Sequence, residues 1–554
     1  MKRYPKSSFS GVAIDYARRV LSGKQPACIQ VKQAAQRFID DFERTDIRFD
    51  EDRVDSVCNF VENLVHVKAE WAGTPIKLES FQVFLLANIF GWLDVATGYR
   101  RFRQAFILLP RKNGKSLLAA AIALYMIFMT GEQGAEGYSG ATSLDQANEV
   151  FGPAKKMVEM TPGLAEALDI ETAARSIYSP SSGSSFRPVI AKTKDGSSPY
   201  LAICDELHQA IDDTQINAFR TGMGSRREPL LLIISTAGEN TAGVCRTEQL
   251  NAEAVLAGRK KNDRLFALIY TIDPADDWRH VTSWKKANPN WGVSVNAEYL
   301  RDQLADARQS PAKQAAMRTK HLNEWVAGAH GWLSPLLWSN AADRTLRLED
   351  FHGRKAFVAC DLSTKQDLTA VALVIPDGAR TVVFPFPFVP AGALAESTNA
   401  PAYREWIEGG HLRDTPGTAS SFDEVATLLA DLHRDFLIDK VIFDPWQGEM
   451  MRQTVAGWGL ATEIWPAYAP SLWTSTLDDF EADLKNGKIA HPGNAVMDWC
   501  AGNVAIHSKG GVSRTPVKPG DKERKIDVMI AALMAYAPSN AVAPPPVVPS
   551  LMFI

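Results

Sequence analysis

The stretch Ala105–Met129 reads AFILLPRKNGKSLLAAAIALYMIFM, and the fold turns on how it is read. Ala105–Leu109 is an apolar run of strand length. After Pro110-Arg111-Lys112-Asn113-Gly114-Lys115-Ser116 comes a longer run rich in Ala and Leu, which predicts a buried helix. A strand, a tight loop closing on Gly-Lys-Ser and a helix together make a concave anion site, because successive loop N–H groups and the helix N-terminus point at one place. In that layout Asn113 and Gly114 supply loop backbone, Lys115 reaches the outer phosphates of a nucleotide, and the Ser116 hydroxyl holds Mg²⁺. Arg111 and Lys112 add two cations. In the pattern G-x-x-x-x-G-K-[ST] the first Gly falls on Leu109, so half the signature is missing and a plain surface turn is the competing reading. The strand before the loop and the apolar helix after it favour the phosphate site.

A chain of 554 residues is long enough for three or four domains with sizeable cores. Its 60 basic and 64 acidic residues leave a net charge of −4, so any nucleic-acid contact must come from local patches rather than a global basic excess. Six scattered cysteines, with no C-x-x-C pair, point to a reducing compartment and to neither a disulfide framework nor a zinc site. The N-terminus lacks a signal-like apolar core. No run of about 18 apolar residues suggests a membrane span.

Outward from the loop, residues 75–92 predict a helix with one apolar face, formed by Phe84, Leu85, Asn88, Ile89 and Trp92. Gln82 stands near its start. Its carboxamide offers a donor and an acceptor and so suits an adenine edge, though a polar residue at a helix start needs no ligand to explain it. Beyond the loop helix, residues 137–147 lead into a helix over 146–160, and 172–199 reads as strands and turns. Tyr200–Cys204 is an apolar strand ending in Asp205-Glu206. The first carboxylate there suits Mg²⁺ and the second an attacking water; a solvated turn is the alternative. A phosphate loop followed by an apolar strand ending in Asp-Glu is the order of a P-loop ATPase. A third strand, Leu230–Ile234, ends in Ser235-Thr236, hydroxyls positioned to sense a γ-phosphate. Arg226 and Arg227 either face solvent or reach a neighbour's nucleotide. Residues 240–325 carry helical patches.

A second, independent series begins near Lys355. Ala356–Cys360 is a strand ending in Asp361. Thr369–Ile375 and Thr381–Phe388 continue as a meander, Ser421 and Glu424 form a capping box ahead of a helix, and Lys440–Phe443 is a strand ending in Asp444. Ile526–Tyr536 is an apolar helix carrying Asp527. Each aspartate alone reads as a turn or helix-start acid. As a set in this order they form a hard-oxygen site for Mg²⁺ or Mn²⁺, the plan of an RNase H-like two-metal nuclease. Lys518, Lys522, Arg524 and Lys525 stand just before the last helix as phosphate contacts.

The stretches PIKLESFQVF, LLPRKNGKS, ATSLDQA, LAICDELH, LLIISTAG, HLNEWV, ACDLSTKQDLTA, YREWIEGGHL, VIFDPWQ and KIDVMIAALMAY occur in order. Together they resemble the large terminase subunit of tailed double-stranded DNA bacteriophages, whose phosphate loop also lacks its first Gly. The resemblance implies an α/β chain: a P-loop ATPase domain with a parallel sheet flanked by helices, then an RNase H-like mixed-sheet nuclease domain. The expected bounds are an N-terminal helical segment 1–60, the ATPase 61–335, a linker 336–354, the nuclease 355–540 and a Pro-rich tail 541–554. It also implies a motor that hydrolyses ATP with Mg²⁺, drives double-stranded DNA through a portal protein into a prohead, and cuts concatemers. A small terminase subunit and a homo-oligomeric ring on the portal are the implied partners, with no membrane, in the host cell cytoplasm. Family roles then fall on Gln82 (adenine), Arg111 (loop arginine), Lys115 and Ser116 (phosphates and Mg²⁺), Asp205 (Mg²⁺), Glu206 (water) and Ser235-Thr236 (coupling). Asp361, Asp444 and Asp527 take the nuclease metals. A helicase-like translocase whose second domain only clamps DNA is the alternative.

Overall fold

Strands that are apolar on both faces must be covered on both faces, which calls for a parallel sheet between helices. The first unit, Met1–Val326, builds such a sheet. The computed structural model describes residues 4–540 apart from residues 6, 191–196, 211, 309–310, 327–331, 364–367, 398, 418–421, 446–447, 467–468, 510–512 and 519–523. The Pro-rich tail, Ser421 of the expected capping box and Lys522 lie outside the described residues.

The sheet of the first unit has eight strands: β1 (Gln104–Leu108), β2 (Glu136–Ala141), β3 (Glu171–Ala173), β4 (Ser176–Tyr178), β5 (Ser185–Ile190), β6 (Pro199–Asp205), β7 (Leu230–Ser235) and β8 (Leu265–Ile269). Their spatial order is β8-β1-β7-β6-β2-β5-β4-β3. From β8 to β5 neighbours are parallel, and β4 and β3 close the far edge antiparallel. Every residue of β6, β7 and β8 is buried. β8 lies among residues read only as helical patches, where five apolar residues in a row fit either element.

Helices α1 (Phe9–Leu21), α2 (Ile29–Asp40) and α3 (Glu51–Asn63) come from the first 60 residues, followed by α4 (Ser80–Gly91) and α5 (Lys115–Phe128). The loop helix α5 lies across β2, β5, β6 and β7. α4 does not have the single apolar face expected of it: all of its residues after Ser80 are buried, because α1 and α3 pack on it as well. Trp92, assigned to that face, instead heads a short strand, Trp92–Asp94, paired with Ile47–Phe49. The first 60 residues share one apolar core with the loop and its strands. Within the same unit a smaller core gathers Ile272, Trp284, Val295, Leu300, Leu304, Met317 and Leu322.

The second unit, Ala327–Ile554, carries a mixed sheet. Its strands are β9 (Lys355–Asp361), β10 (Thr369–Asp377), β11 (Arg380–Pro390), β12 (Arg413–Thr415), β13 (Leu437–Phe443) and β14 (Ala461–Ile464). Their order is β12-β11-β10-β9-β13-β14. β9, β10 and β11 form the expected antiparallel meander, and β13 and β14 continue it parallel to β9. This is the RNase H-like mixed sheet expected from the sequence. Helix Phe422–Asp435 buries Val425, Leu428, Leu429 and Leu432, and α6 (Asp527–Asn540) packs on β9 and β10. Residues 336–354 hold structure of their own: Leu348–Phe351 is a 3₁₀ turn, and Leu346 and Phe351 join the second unit's core.

One buried ion pair ties the N-terminal helices to the first sheet. Arg101, 2% exposed, donates to Asp41, 4% exposed, at 2.5 Å, and its other nitrogen reaches Asp263 at 2.9 Å. Removing one partner of a buried pair strands the other charge in a medium that cannot solvate it. Arg101→Leu is therefore expected to destabilise the first unit by about 3–5 kcal/mol, measured by urea unfolding. A loss below about 1 kcal/mol, the worth of an exposed pair, would show that the pair is hydrated.

Candidate functional sites

In the first unit, parallel pairing sets three strand ends level. Leu108 of β1 is opposite Ser235 of β7, and Asp205 of β6 is opposite Ile234 of β7. The pairing runs one step past the strands: Leu109 N–H donates to Ser235 O at 3.0 Å, and Glu206 N–H to Ile234 O at 3.1 Å. The Gly-Lys-Ser loop, the Asp-Glu pair and the Ser-Thr pair thus leave the sheet at one edge, as the sequence reading requires.

The loop is held in a strained form. Lys112 and Gly114 both have positive φ, 71° and 77°. For Lys112 this conformation costs about 1–3 kcal/mol and persists only where the surroundings impose it. They do so from outside the strand–loop–helix unit. Asn113, fully buried, donates to Asn288 Oδ1 at 2.8 Å and accepts from Asn290 N–H at 3.1 Å. Arg111 N–H donates to Lys320 O at 2.9 Å, and Ser294 Oγ to Lys112 O at 2.5 Å. The Asn113 side chain is thus engaged in bracing the loop, and only its backbone is left for a ligand. Arg111 is exposed, and Ser116 stands half-buried in the first turn of α5.

Lys115 folds back across the loop. Its Nζ donates to Leu109 O at 3.0 Å and lies 4.0 Å from Glu206 Oε1. Burial lowers its pKa, and the charges of Glu206 and Asp205 oppose that shift. The two neighbouring carboxyls shift in opposite directions. Burial, with the charge of Glu206, pushes Asp205 up to about 7. Burial would also raise Glu206, but a hydrogen bond from His208 and the charge of Lys115 outweigh it and hold this carboxyl at about 2. Glu206 also has positive φ, 50°, a strained position that aims its side chain back over the sheet edge.

His208 was given no role from the sequence, although it stands in LAICDELH. Its Nδ1 lies 3.1 Å from Glu206 Oε2, 3.2 Å from Ser235 Oγ and 3.3 Å from Thr236 Oγ1. Thr236 Oγ1 also donates to Glu206 Oε2 at 3.3 Å. The hydroxyl pair is thereby wired to Glu206 through one imidazole. Gln82 is buried near the loop: its Oε1 accepts from Glu79 N–H at 2.8 Å, and its Nε2 lies 3.7 Å from where a Cβ on Gly114 would stand. Arg226 is committed within the chain, donating to Ser198 O and Gly134 O and pairing with Glu132 at 2.9 Å. These contacts hold its guanidinium within the chain. Arg227 is exposed and donates to Tyr99.

In the second unit, Cys360 of β9 is opposite Phe443 of β13, and Asp444 N–H donates to Cys360 O at 3.0 Å. Asp361 and Asp444 therefore leave adjacent parallel strands side by side. Asp527, buried, begins α6, which packs on β9. The fully buried Cys500 thiol connects two of these acids: burial, then the charges of Asp527 and Asp361, push its pKa well up. Among the described residues no three His, Cys, Asp or Glu side chains close on one point to grip an ion. Like charges repel, and Lys518 Nζ sits 3.5 Å from Asp527 Oδ1 as a counter-cation. Lys518, expected as a phosphate contact, is thus engaged with an acid of the site. Asp361 and Asp444 at adjacent strand ends, and Asp527 at the start of the helix packed on β9, are hard oxygen donors of the kind Mg²⁺ takes.

Two family models match the chain: the terminase large subunit ATPase domain over residues 80–254 and the terminase large subunit endonuclease domain over residues 259–541. Protein YmfN of Escherichia coli K12 is 31% identical over 62% of this chain and 77% of its own length. The large terminase subunit of Enterobacteria phage HK97 is 28% identical over 88% of this chain and 96% of its own. A crystal structure of the HK97 bacteriophage large terminase covers 88% of this chain and 99% of its own at 26% identity, with a TM-score of 0.45.

The hydrogen bond from His208 is the chief influence holding Glu206 ionised against burial. In His208→Ala that carboxyl is expected to titrate at higher pH, because a lowering cause is removed while the burial that raises it stays. Carboxyl-labelled glutamate followed by ¹³C NMR against pH measures this directly. An unmoved Glu206 titration would mean that the neighbouring cations Lys115 and Arg111 set it.

Proposed function

Because this chain belongs to the terminase large subunit family, we propose that its two halves are the motor and the cutter of a viral DNA-packaging machine. The chain is an ATPase and an endonuclease that uses a nucleotide and a divalent metal. The finer reading is that ATP hydrolysis drives double-stranded DNA through a portal protein into a prohead, in the host cytoplasm, with the small terminase subunit and further copies of this chain in a ring. No helix among the described residues is long and apolar enough to cross a membrane.

The level exit of the Gly-Lys-Ser loop, Asp205-Glu206 and Ser235-Thr236 from one parallel edge carries the motor reading. Lys115 would turn from Leu109 O to the outer phosphates, with Gln82 at the base and Arg111 beside the loop. Ser116 and Asp205 are the residues to hold Mg²⁺, which neutralises phosphate charge when bound. An ion there would displace the proton that burial favours on Asp205. Glu206, charged at every working pH, orients the attacking water. As Lys115 leaves it for the phosphates, Glu206 loses one of the charges holding its pKa down, so nucleotide binding strengthens the base. Loss of the γ-phosphate would be felt at Glu206 and passed through His208 to Ser235-Thr236 at the end of β7.

In the nuclease half, Asp361, Asp444 and Asp527 are the residues to hold Mg²⁺, or Mn²⁺, in a two-metal site that activates water and steadies the leaving oxygen. Lys518, released from Asp527 when a metal supplies positive charge, would turn toward a DNA phosphate. The endonuclease family match weighs against a second domain that clamps DNA without cutting it.

The two activities are separable by mutation. Lys115→Ala is expected to abolish ATP turnover, and Glu206→Gln to retain bound nucleotide while turnover falls by at least about 100-fold. Asp361→Asn should stop metal-dependent plasmid cleavage and leave ATP turnover intact. Side-by-side ATPase and plasmid assays with Mg²⁺ and with Mn²⁺ check all three. Wild-type turnover in Glu206→Gln would remove Glu206 from its role, and normal cutting by Asp361→Asn would remove Asp361 from the metal site.

A further inference from the structure

We propose that Asn290 is a base-contacting residue that, with Gln82, sets the preference for adenine over guanine nucleotides. The inference rests on the reading of the Lys115 loop as the nucleotide site and adds to it a residue from a distant segment of the chain.

Asn290 sits on the stretch Asn288–Asn290 that braces the loop, and its backbone is fully engaged. Its N–H donates to Asn113 Oδ1 at 3.1 Å, and its carbonyl accepts from Val293, Ser294 and Val295. Its side chain is left for something else. The residue is 5% exposed, yet its Oδ1 meets no hydrogen-bond donor among the described residues. A buried acceptor without a donor costs free energy, so it calls for an explanation, and beside a phosphate loop a ligand donor is one. The carboxamide faces the loop: a Cβ on Gly114 would stand 3.7 Å from Asn290 Nδ2, the same distance as from Gln82 Nε2. Two carboxamides from separate elements therefore flank one glycine of the phosphate loop. Asn288 offers an instructive contrast. It accepts from Asn113 and donates to Trp284 O and His321 O, so its side chain is fully used as a brace.

A carboxamide presents one donor and one acceptor side by side. Along its N6–N7 edge adenine presents the complementary pair, an amine that donates beside a ring nitrogen that accepts. Guanine carries an oxygen where adenine carries that amine, so it leaves Asn290 Oδ1 facing another acceptor. Sites built to hydrogen-bond a group discriminate strongly against an analogue lacking it, because their own buried atoms are then left unpaired.

The test measures binding of fluorescent ATP and GTP analogues with Mg²⁺, and kcat/KM for both nucleotides, in the full-length chain. Asn290→Ala is expected to lose about 3- to 10-fold in ATP affinity, the worth of one hydrogen bond, with a smaller loss for GTP, so the preference narrows. Asn290→Asp, which keeps the size but presents only acceptors, is expected to widen the preference for ATP, since O6 and N7 of guanine are both acceptors and would face a carboxylate, while the adenine amine can still donate to it. It serves on its own if Asn290→Ala does not fold. Equal losses for ATP and GTP in Asn290→Ala would make the residue a brace like Asn288, and an unchanged ratio in Asn290→Asp would overturn the proposal. Lys115→Ala separates the two levels. If it binds nucleotide as wild type does, the site reading itself fails; if it loses binding while the Asn290 variants leave the ratio unchanged, only this inference fails.

Discussion

Parallel pairing of β1, β7 and β6 is the constraint on which the first unit depends. Three loops far apart in sequence meet because Leu108 is opposite Ser235 and Asp205 is opposite Ile234. A slip of one residue in either pairing would turn every side chain of a strand to the other face, and all of these strands are buried. The apolar residues that fill the core therefore also fix where Lys115, Glu206 and Thr236 stand. Site geometry and sheet register are one property here.

At that edge the protein separates two adjacent carboxylates by environment alone. Asp205 ends a buried strand, where desolvation and the charge of Glu206 outweigh Lys115 and the Glu206 N–H, and its pKa rises to about 7. Glu206, one residue on, turns through a left-handed conformation toward His208 and Lys115, and its pKa falls to about 2. One acid is held toward its protonated form, while the other is charged well below neutral pH. Pairs of titratable groups driven apart in this way mark different chemical roles. The second unit holds its three aspartates differently, with Lys518 standing against Asp527 as a replaceable positive charge.

The loop itself is braced from the side. Without the first glycine of the usual pattern, Lys112 takes a strained conformation, and Asn288, Asn290, Ser294 and Lys320 hold the loop backbone and Asn113 in place. The brace belongs to the segment around the small core of Trp284, Leu300 and Met317. A displacement of the loop would therefore be felt by this segment. Asn323 donates to Tyr270 O and accepts from Ala237 N–H, so the chain just after Thr236 is tied to the same segment.

The sequence by itself determined the two-part α/β plan, the strand–loop–helix unit, the strands ending in Asp205, Ser235, Asp361 and Asp444, and the helix beginning at Asp527. These features are local: apolar runs of strand or helix length and a polar residue where each run stops. Only the tertiary structure decided the rest. The strand Leu265–Ile269 pairs with β1 at one edge of the sheet, although its residues alone fit a helix equally well. The helix Ser80–Gly91 is buried all round because of what packs on it, which periodicity within the helix cannot reveal. His208 gained its place from a turn at Glu206, and Arg226 is held within the chain by partners on two other segments. Asn113 became a brace, and Asn288 and Asn290 entered the site from about as far along the chain as a domain is long. Each of these is a contact between residues distant in sequence, and such contacts leave no periodic or motif-length trace in the chain that makes them.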